Sequence, residues 1–291
     1  MPTGPGHSAG IGSNGMGSAG SGSNGTVPPE AAAVLKRGHV RLERDGALAS
    51  VVLARSEKYN AQTPYTWEAL REVSRLLTAE TRVVVVRAEG KAFSAGLDRA
   101  MLTAEGVPGQ PSALDLARMD EAQFTDTIAG YQSAFDWLWR TDIVSVAAVQ
   151  GHAIGAGFQL ALACDLRVAT EDAQFRMAEP ALGLVPDLTG TKRLVDLVGL
   201  SRAVDYCLTA RAVDATEALA AGLVNRVVAA EALDDAVAAL VSSLLSVPRD
   251  ASVETKALLV GASGRTQADQ QAAERLAQHR RMRALAGIVA D

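Results

Sequence analysis

Four consecutive valines, Val83 to Val86, constrain the fold of this chain more than any other stretch. Side chains on a strand point alternately to opposite faces, so an unbroken apolar run fits a strand covered on both sides. Strands of that kind belong to parallel sheets flanked by helices. Ile143 to Val149 and Leu166 to Ala169 repeat the pattern. Helix-like segments lie between them, and Thr66 to Leu77 sets Leu70, Val73 and Leu76 on one face. His39 to Arg55 reads as two strands around Arg44-Asp45-Gly46, a hairpin signal. Strands alternating with helices predict the α/β class with a core of parallel strands. From Leu194 onward the pattern turns mostly helical. Candidate helices are 202–208, 215–221, 233–245 and 269–286, with Pro248 between the last two.

The first 27 residues are dominated by Gly and Ser. Such a segment buries too little apolar area to offset its ordering entropy, and it predicts a disordered tail. The folded part is expected to begin near Leu35. The Gly-x-Gly triplets of the tail lack the preceding strand and following helix that a phosphate loop needs. A net charge of −5 and a pI of about 5.5 argue against a protein that works by gripping nucleic acid. Cys164 and Cys207 sit in apolar, helix-like segments and read as free thiols rather than a disulfide. No second Cys or His stands at ligand spacing, so no metal site is suggested. No apolar run approaches a membrane span, the N-terminus lacks a secretory pattern, and a reducing cytoplasm is the expected setting.

Two turns carry the chemistry. Lys91-Ala92-Phe93-Ser94-Ala95-Gly96-Leu97-Asp98 follows the valine strand. Its small residues let a ligand approach the backbone closely and leave N–H groups pointing outward. Gln150 to Leu160 follows the second apolar strand and opens a helix at Gly155-Ala156-Gly157. A helix N-terminus presents unpaired N–H groups and the positive end of the dipole, so negative charge arising there is stabilised. An ordinary strand-to-helix turn is the competing reading for each.

Together with Ser56 to Ala61, Ala173-Gln174-Phe175 and Glu179 to Leu194, these turns resemble the crotonase superfamily, the enoyl-CoA hydratase/isomerase family. The resemblance runs from about Gly38 to the C-terminus. It implies a crotonase (ClpP-like) fold of repeated ββα units over 35–200, bearing an acyl-CoA site. A helical region over 201–291 would then build trimers or pairs of trimers. It implies an oxyanion hole from the N–H groups of Leu97 and Ala156, with Ala61, Ala95, Gly96 and Gly155 lining the substrate site. Coenzyme A is part of the substrate, and no separate cofactor is implied.

Proton transfer at the acyl chain needs an acid or base. Hydratases of this family usually carry two Glu, at the positions of Gln159 and Glu179. Gln cannot exchange a proton at neutral pH but can orient a water or the substrate. Glu179, in an apolar Met-Ala-Glu-Pro setting, is either the principal acid/base or an exposed loop Glu paired with an Arg. Asp187 either caps the following helix or assists as a second carboxyl, as in the dienoyl-CoA isomerase branch that it partly resembles. Isomerisation is favoured slightly over hydration. A non-catalytic acyl-CoA binder is the alternative that Gln159 suggests, and an RNA-binding relative fits poorly with the acidic charge. Asp98 is expected to fix its loop and His152 to be structural. Trp137 and Trp139 would pack the core or the acyl pocket.

Overall fold

The computed structural model describes residues 27–288. The Gly/Ser tail predicted to be disordered falls almost wholly outside them. Order begins earlier than composition suggests. Helix α1 (Pro29–Arg37) starts on Pro29 and buries Ala31 and Leu35 against α2 (Pro64–Leu76). The hairpin is β1 (Val40–Asp45) and β2 (Leu48–Leu53), turning at Gly46 with φ 54°. Strand β3 (Val83–Ala88) holds the valines. Helices α3 (Ala113–Arg118) and α4 (Glu121–Asp136) precede β4 (Val144–Val149), β5 (His152–Ile154) and α5 (Ala156–Ala163). Then come β6 (Leu166–Thr170), β7 (Gln174–Arg176), α6 (Gly190–Leu208), β8 (Val213–Asp214), α7 (Ala215–Ala220) and β9 (Arg226–Val228). Helices α8 (Leu233–Ser246), α9 (Arg249–Gly261) and α10 (Gln267–Leu285) close the chain.

Six strands form one sheet in the order β1-β2-β3-β4-β6-β9, parallel except for the β1–β2 hairpin. The valines divide as the run requires. Val84 and Val86 face the main core with Leu70, Phe158 and Leu160, while Val83 and Val85 face Val237, Leu240 and Val241 of α8. A second layer, β5-β7-β8, stands beside this sheet. The units β1-β2-α2, β4-β5-α5 and β6-β7-α6 repeat the same ββα plan. In the β3 unit, single bridge residues replace the second strand: Ser94 pairs with Ala153 and Leu97 with Gln62.

All eight residues of α5 are buried. The fully buried guanidinium of Arg167 donates to the Cys164 carbonyl at 2.7 Å, to Ala161 at 3.3 Å and to Leu223 at 2.6 Å. Burial lowers its pKa to about 10. Positive charge at this C-terminal end complements the dipole whose opposite end opens at Ala156.

The candidate helix at 202–208 is the second half of α6, which kinks at Gly199 (φ 77°, ψ 160°). Sequence periodicity missed α9, which begins directly after Pro248. One side chain secures it. Lys256, 8% exposed, donates to the carbonyls of Arg140 and Ile143 at 2.7 Å and to Asp165 at 2.6 Å. Among the described residues no helix is long and apolar enough to cross a membrane. Replacing Lys256 with Met would leave the half-buried Asp165 Oδ2 and two carbonyls without their shared cation. The expected loss of unfolding free energy is about 3 kcal/mol, read by urea denaturation.

Candidate active site

The site starts from a pair of neighbouring chain segments. The Ser94 N–H donates to the His152 carbonyl at 2.9 Å and the Ile154 N–H to the Ser94 carbonyl at 3.0 Å, so the two turns run parallel. Leu97 lies three residues beyond Ser94 and Ala156 three beyond Ala153 (94 to 97, 153 to 156). Neighbouring parallel strands stand about 4.8 Å apart, which is the spacing two donors need to share one oxygen. Neither the Leu97 N–H nor the Ala156 N–H has an acceptor among the described residues. At Gly96 (φ 86°) any Cβ would collide with the Ile154 carbonyl oxygen and approach the Ala156 nitrogen at 3.5 Å. The turn can seat Leu97 beside Ala156 only because residue 96 has no side chain.

A buried polar network fixes the first turn. Ser94 Oγ donates to the Asn60 carbonyl at 2.8 Å and accepts from the Gly96 N–H and Gln62 Nε2, each at 3.2 Å. The Gln62 backbone binds Gly96 O and Asp98 N, and Trp67 Nε1 donates to Gln62 Oε1 at 2.9 Å. Asn60 Nδ2 donates to the carbonyls of Glu89 and Ala92. Sequence reading missed Asn60, Gln62 and Ser94 as a unit. The available signal was three polar residues set among apolar neighbours. Asp98 fixes its loop as expected, accepting from Ala100 N at 3.0 Å and Arg55 Nη1 at 2.7 Å. Burial works against its ionisation, yet these donors hold its carboxyl below the usual range. Ala61 is half-buried and Ala95 exposed, its N–H held by the Tyr59 carbonyl.

The carboxylates gather at the second turn. Gly155 (φ 50°) leaves room for Glu179, whose Oε1 lies 3.0 Å from where a Cβ would stand. Gln159, fully buried, donates through Nε2 to Glu179 Oε1 at 2.8 Å. Its Oε1 accepts from Leu188 N at 2.9 Å and Gly190 N at 3.2 Å. Gln159 therefore orients Glu179 and the 188–190 segment. Glu179 Oε2 is buried and has no hydrogen-bond partner among the described residues. Burial pushes the Glu179 carboxyl up, and the nearby Asp187 charge adds to the effect. Glu179 pairs with Gln159, and the alternative of an exposed Glu held by an Arg does not apply.

Asp187 is half-buried and burial raises its pKa too. It does not cap α6, which opens at Gly190 behind Thr189 (φ 70°). Its backbone carbonyl accepts from Gln132 Nε2 of α4 at 2.8 Å. Tyr131, unnoticed in the sequence, stands next to it: burial first and the Asp187 charge second raise the phenol pKa. Phe135 and Trp137 pack the core, Arg193 covers Trp139 at 4.3 Å, and the His152 side chain is exposed. Among the described residues no group of His, Cys, Asp or Glu is placed to hold a metal, and Cys164 and Cys207 are free.

Residues 43–285 match the family model for enoyl-CoA hydratase/isomerase. The chain belongs to the enoyl-CoA hydratase/isomerase family. It is 34% identical over 216 residues to the human mitochondrial Delta(3,5)-Delta(2,4)-dienoyl-CoA isomerase, which covers 72% of this chain and 64% of that protein. It thus spans less than two thirds of the length of that relative. A Thermobifida fusca YX protein described as an enoyl-CoA hydratase, solved in complex with CoA, is 48% identical with a TM-score of 0.83. That match covers 88% of this chain and 97% of the other. The same protein in complex with acetoacetyl-CoA matches 86% of this chain and 97% of that one, with 48% identity and a TM-score of 0.83. The expected crotonase fold is therefore the fold observed, with the helical region at its C-terminal end.

Two outcomes are expected of this family member's site. Gly96→Ala should cost about 1 to 3 kcal/mol in urea denaturation, because residue 96 holds a positive φ and its Cβ would meet the Ile154 carbonyl oxygen. Glu179→Gln should change stability in a pH-dependent way. A carboxyl with a raised folded pKa contributes stability that is fully present below its unfolded pKa and is lost as pH rises through the folded pKa. The neutral amide escapes that loss. Thermal denaturation should show the variant with the higher Tm at pH 8 and a gap that shrinks as pH falls.

Proposed function

We propose that this chain binds an acyl-CoA thioester and moves a double bond along its acyl group, through an enolate held by the Leu97 and Ala156 amides. The observation that carries the reading is the unpartnered Oε2 of Glu179, seated over Gly155 beside the Ala156 amide and facing a second carboxyl, Asp187. Loss of a proton from a carbon conjugated with the thioester puts negative charge on the carbonyl oxygen. Preorganised N–H donors stabilise that charge more in the transition state than in the ground state, by about 2.7 to 4 kcal/mol each. The ionised carboxyl of the pair takes the proton as the C–H bond breaks and the double bond shifts. The other carboxyl, still protonated, delivers its proton to a different carbon as the enolate collapses. The thioester regains its carbonyl, and the carboxyl pair returns to its starting state by exchanging one proton.

Hydration by two Glu is the weaker reading. Position 159 holds an amide that cannot exchange a proton, donates to Glu179 and accepts from Leu188 and Gly190. The turn at Ala61 and Ala95 would pass the pantetheine arm. Apolar side chains left exposed on α9 and α10, such as Leu259, Leu276 and Met282, support a homotrimer or a pair of trimers. A cytoplasmic setting is part of the same proposal.

Glu179→Gln and Asp187→Asn should each lower isomerisation of an enoyl- or dienoyl-CoA at least about a hundredfold, the usual worth of general acid–base catalysis. Near-normal turnover by Glu179→Gln would refute the assignment. The pH profile should be bell-shaped, because the pair needs one ionised and one protonated member. Both limbs should lie above the usual carboxylate range, since burial raises both carboxyls.

A further inference from the structure

Helices α2 and α4 part around a cavity of about 310 Å³. Two of its walls also support the site. Trp67 lines the cavity and holds Gln62, while Tyr131 lines it and faces the Asp187 charge. Their rings meet at a centroid separation of 4.7 Å. The next residue, Gln132, anchors the Asp187 backbone. Trp67 and Tyr131 are thus walls that the cavity shares with the site, on its Asp187 side.

Its lining is wrong for a hydrocarbon tail. Arg71, Gln110 and Thr127 face it together with the phenol of Tyr131. A saturated chain there would desolvate these groups and return no hydrogen bonds. Arg71 is the decisive residue. Its Nε is buried with no hydrogen-bond partner, and the side chain enters no ion pair among the described residues. Nη1 lies 3.9 Å from where a Cβ on Gly130 would stand, so the guanidinium reaches α4 at a position that has no side chain to pair with it. The acidic groups nearby do not neutralise it. Glu68 is engaged by Arg37 at 2.6 Å, and Asp126 lies exposed at the rim. A planar guanidinium that is half-buried and unpaired suits a carboxylate bound through two parallel N–H bonds.

We infer that the acyl group taken by this site ends in a carboxylate, which Arg71 binds in the cavity between α2 and α4. The inference rests on the acyl-CoA reading of the site and adds the substrate class, an ω-carboxyacyl-CoA thioester. Tyr131, a neutral phenol, supplies a second donor on the path from Asp187 to Arg71.

Calorimetric titration of the full chain separates this inference from the reading beneath it. The probes are saturated, unreactive ω-carboxyacyl-CoA thioesters of graded length, each set against the n-alkanoyl-CoA of equal length. At the length that reaches Arg71, the ω-carboxyl probe should bind at least about tenfold tighter, the scale of one charged hydrogen-bonded pair. Arg71→Met should abolish that preference and leave alkanoyl-CoA affinity within about twofold, which also reports an intact fold. Arg71→Lys should restore part of the preference. Tight alkanoyl-CoA binding with no ω-carboxyl preference at any length, or a preference that survives Arg71→Met, would overturn the inference alone. Failure of every thioester and of free CoA to bind would overturn the acyl-CoA reading, and this inference with it.

Discussion

The pairing of Ser94 with Ala153 is the contact on which the site depends. It is a short parallel bridge between segments nearly sixty residues apart, and it sets two chain reversals side by side. Because the amides of Leu97 and Ala156 sit at equal distances beyond the paired residues, the bridge fixes their separation without any side chain reaching for the substrate. Gly96 allows the close approach, and the Ser94–Gln62–Trp67 chain of hydrogen bonds resists its reversal. In the proposed oxyanion role, donors fixed in this way need no rearrangement when charge appears.

The second turn adds direction. Helix α5 is buried on every side, so its dipole acts through protein and not through water. Arg167 occupies the negative end and leaves the positive end free at Ala156. Gln159, on the same helix, spends its amide on Glu179 and on the entry to α6. In the proposed mechanism one helix thus both stabilises charge on the thioester oxygen and aims the carboxyl that moves the proton. Glu179 is held half-buried with one oxygen unsatisfied, a cost in stability that pushes its carboxyl above its usual range.

Much of this was legible in the chain. The valine run announced a strand covered on both faces, and Val83/Val85 and Val84/Val86 do face different cores. Gly96 and Gly155-Ala156 marked the turns because small residues after an apolar strand let the backbone be approached closely, a signal that gained weight from the two occurring together. What stayed hidden was long-range partnership. Gln159 was read as a group that orients a water or the substrate, and nothing in its neighbours reveals that Leu188, Gly190 and Glu179 fold onto it. Asp187 after Pro186 read as either a cap or a second carboxyl, and α6 starts only at Gly190, too late for the cap. Tyr131 had no local signal because α4 is mostly exposed and only weakly patterned. Helix α9 was lost for a similar reason: its anchor is Lys256, a residue that periodicity counts as solvent-facing.

The most direct test of the account is a crystal structure with acetoacetyl-CoA bound. The thioester oxygen should lie about 2.9 Å from both the Leu97 and the Ala156 nitrogens, with the acyl carbons beside Glu179 Oε2. A thioester oxygen seated elsewhere, with those two amides bound to water or to other protein groups, would contradict it.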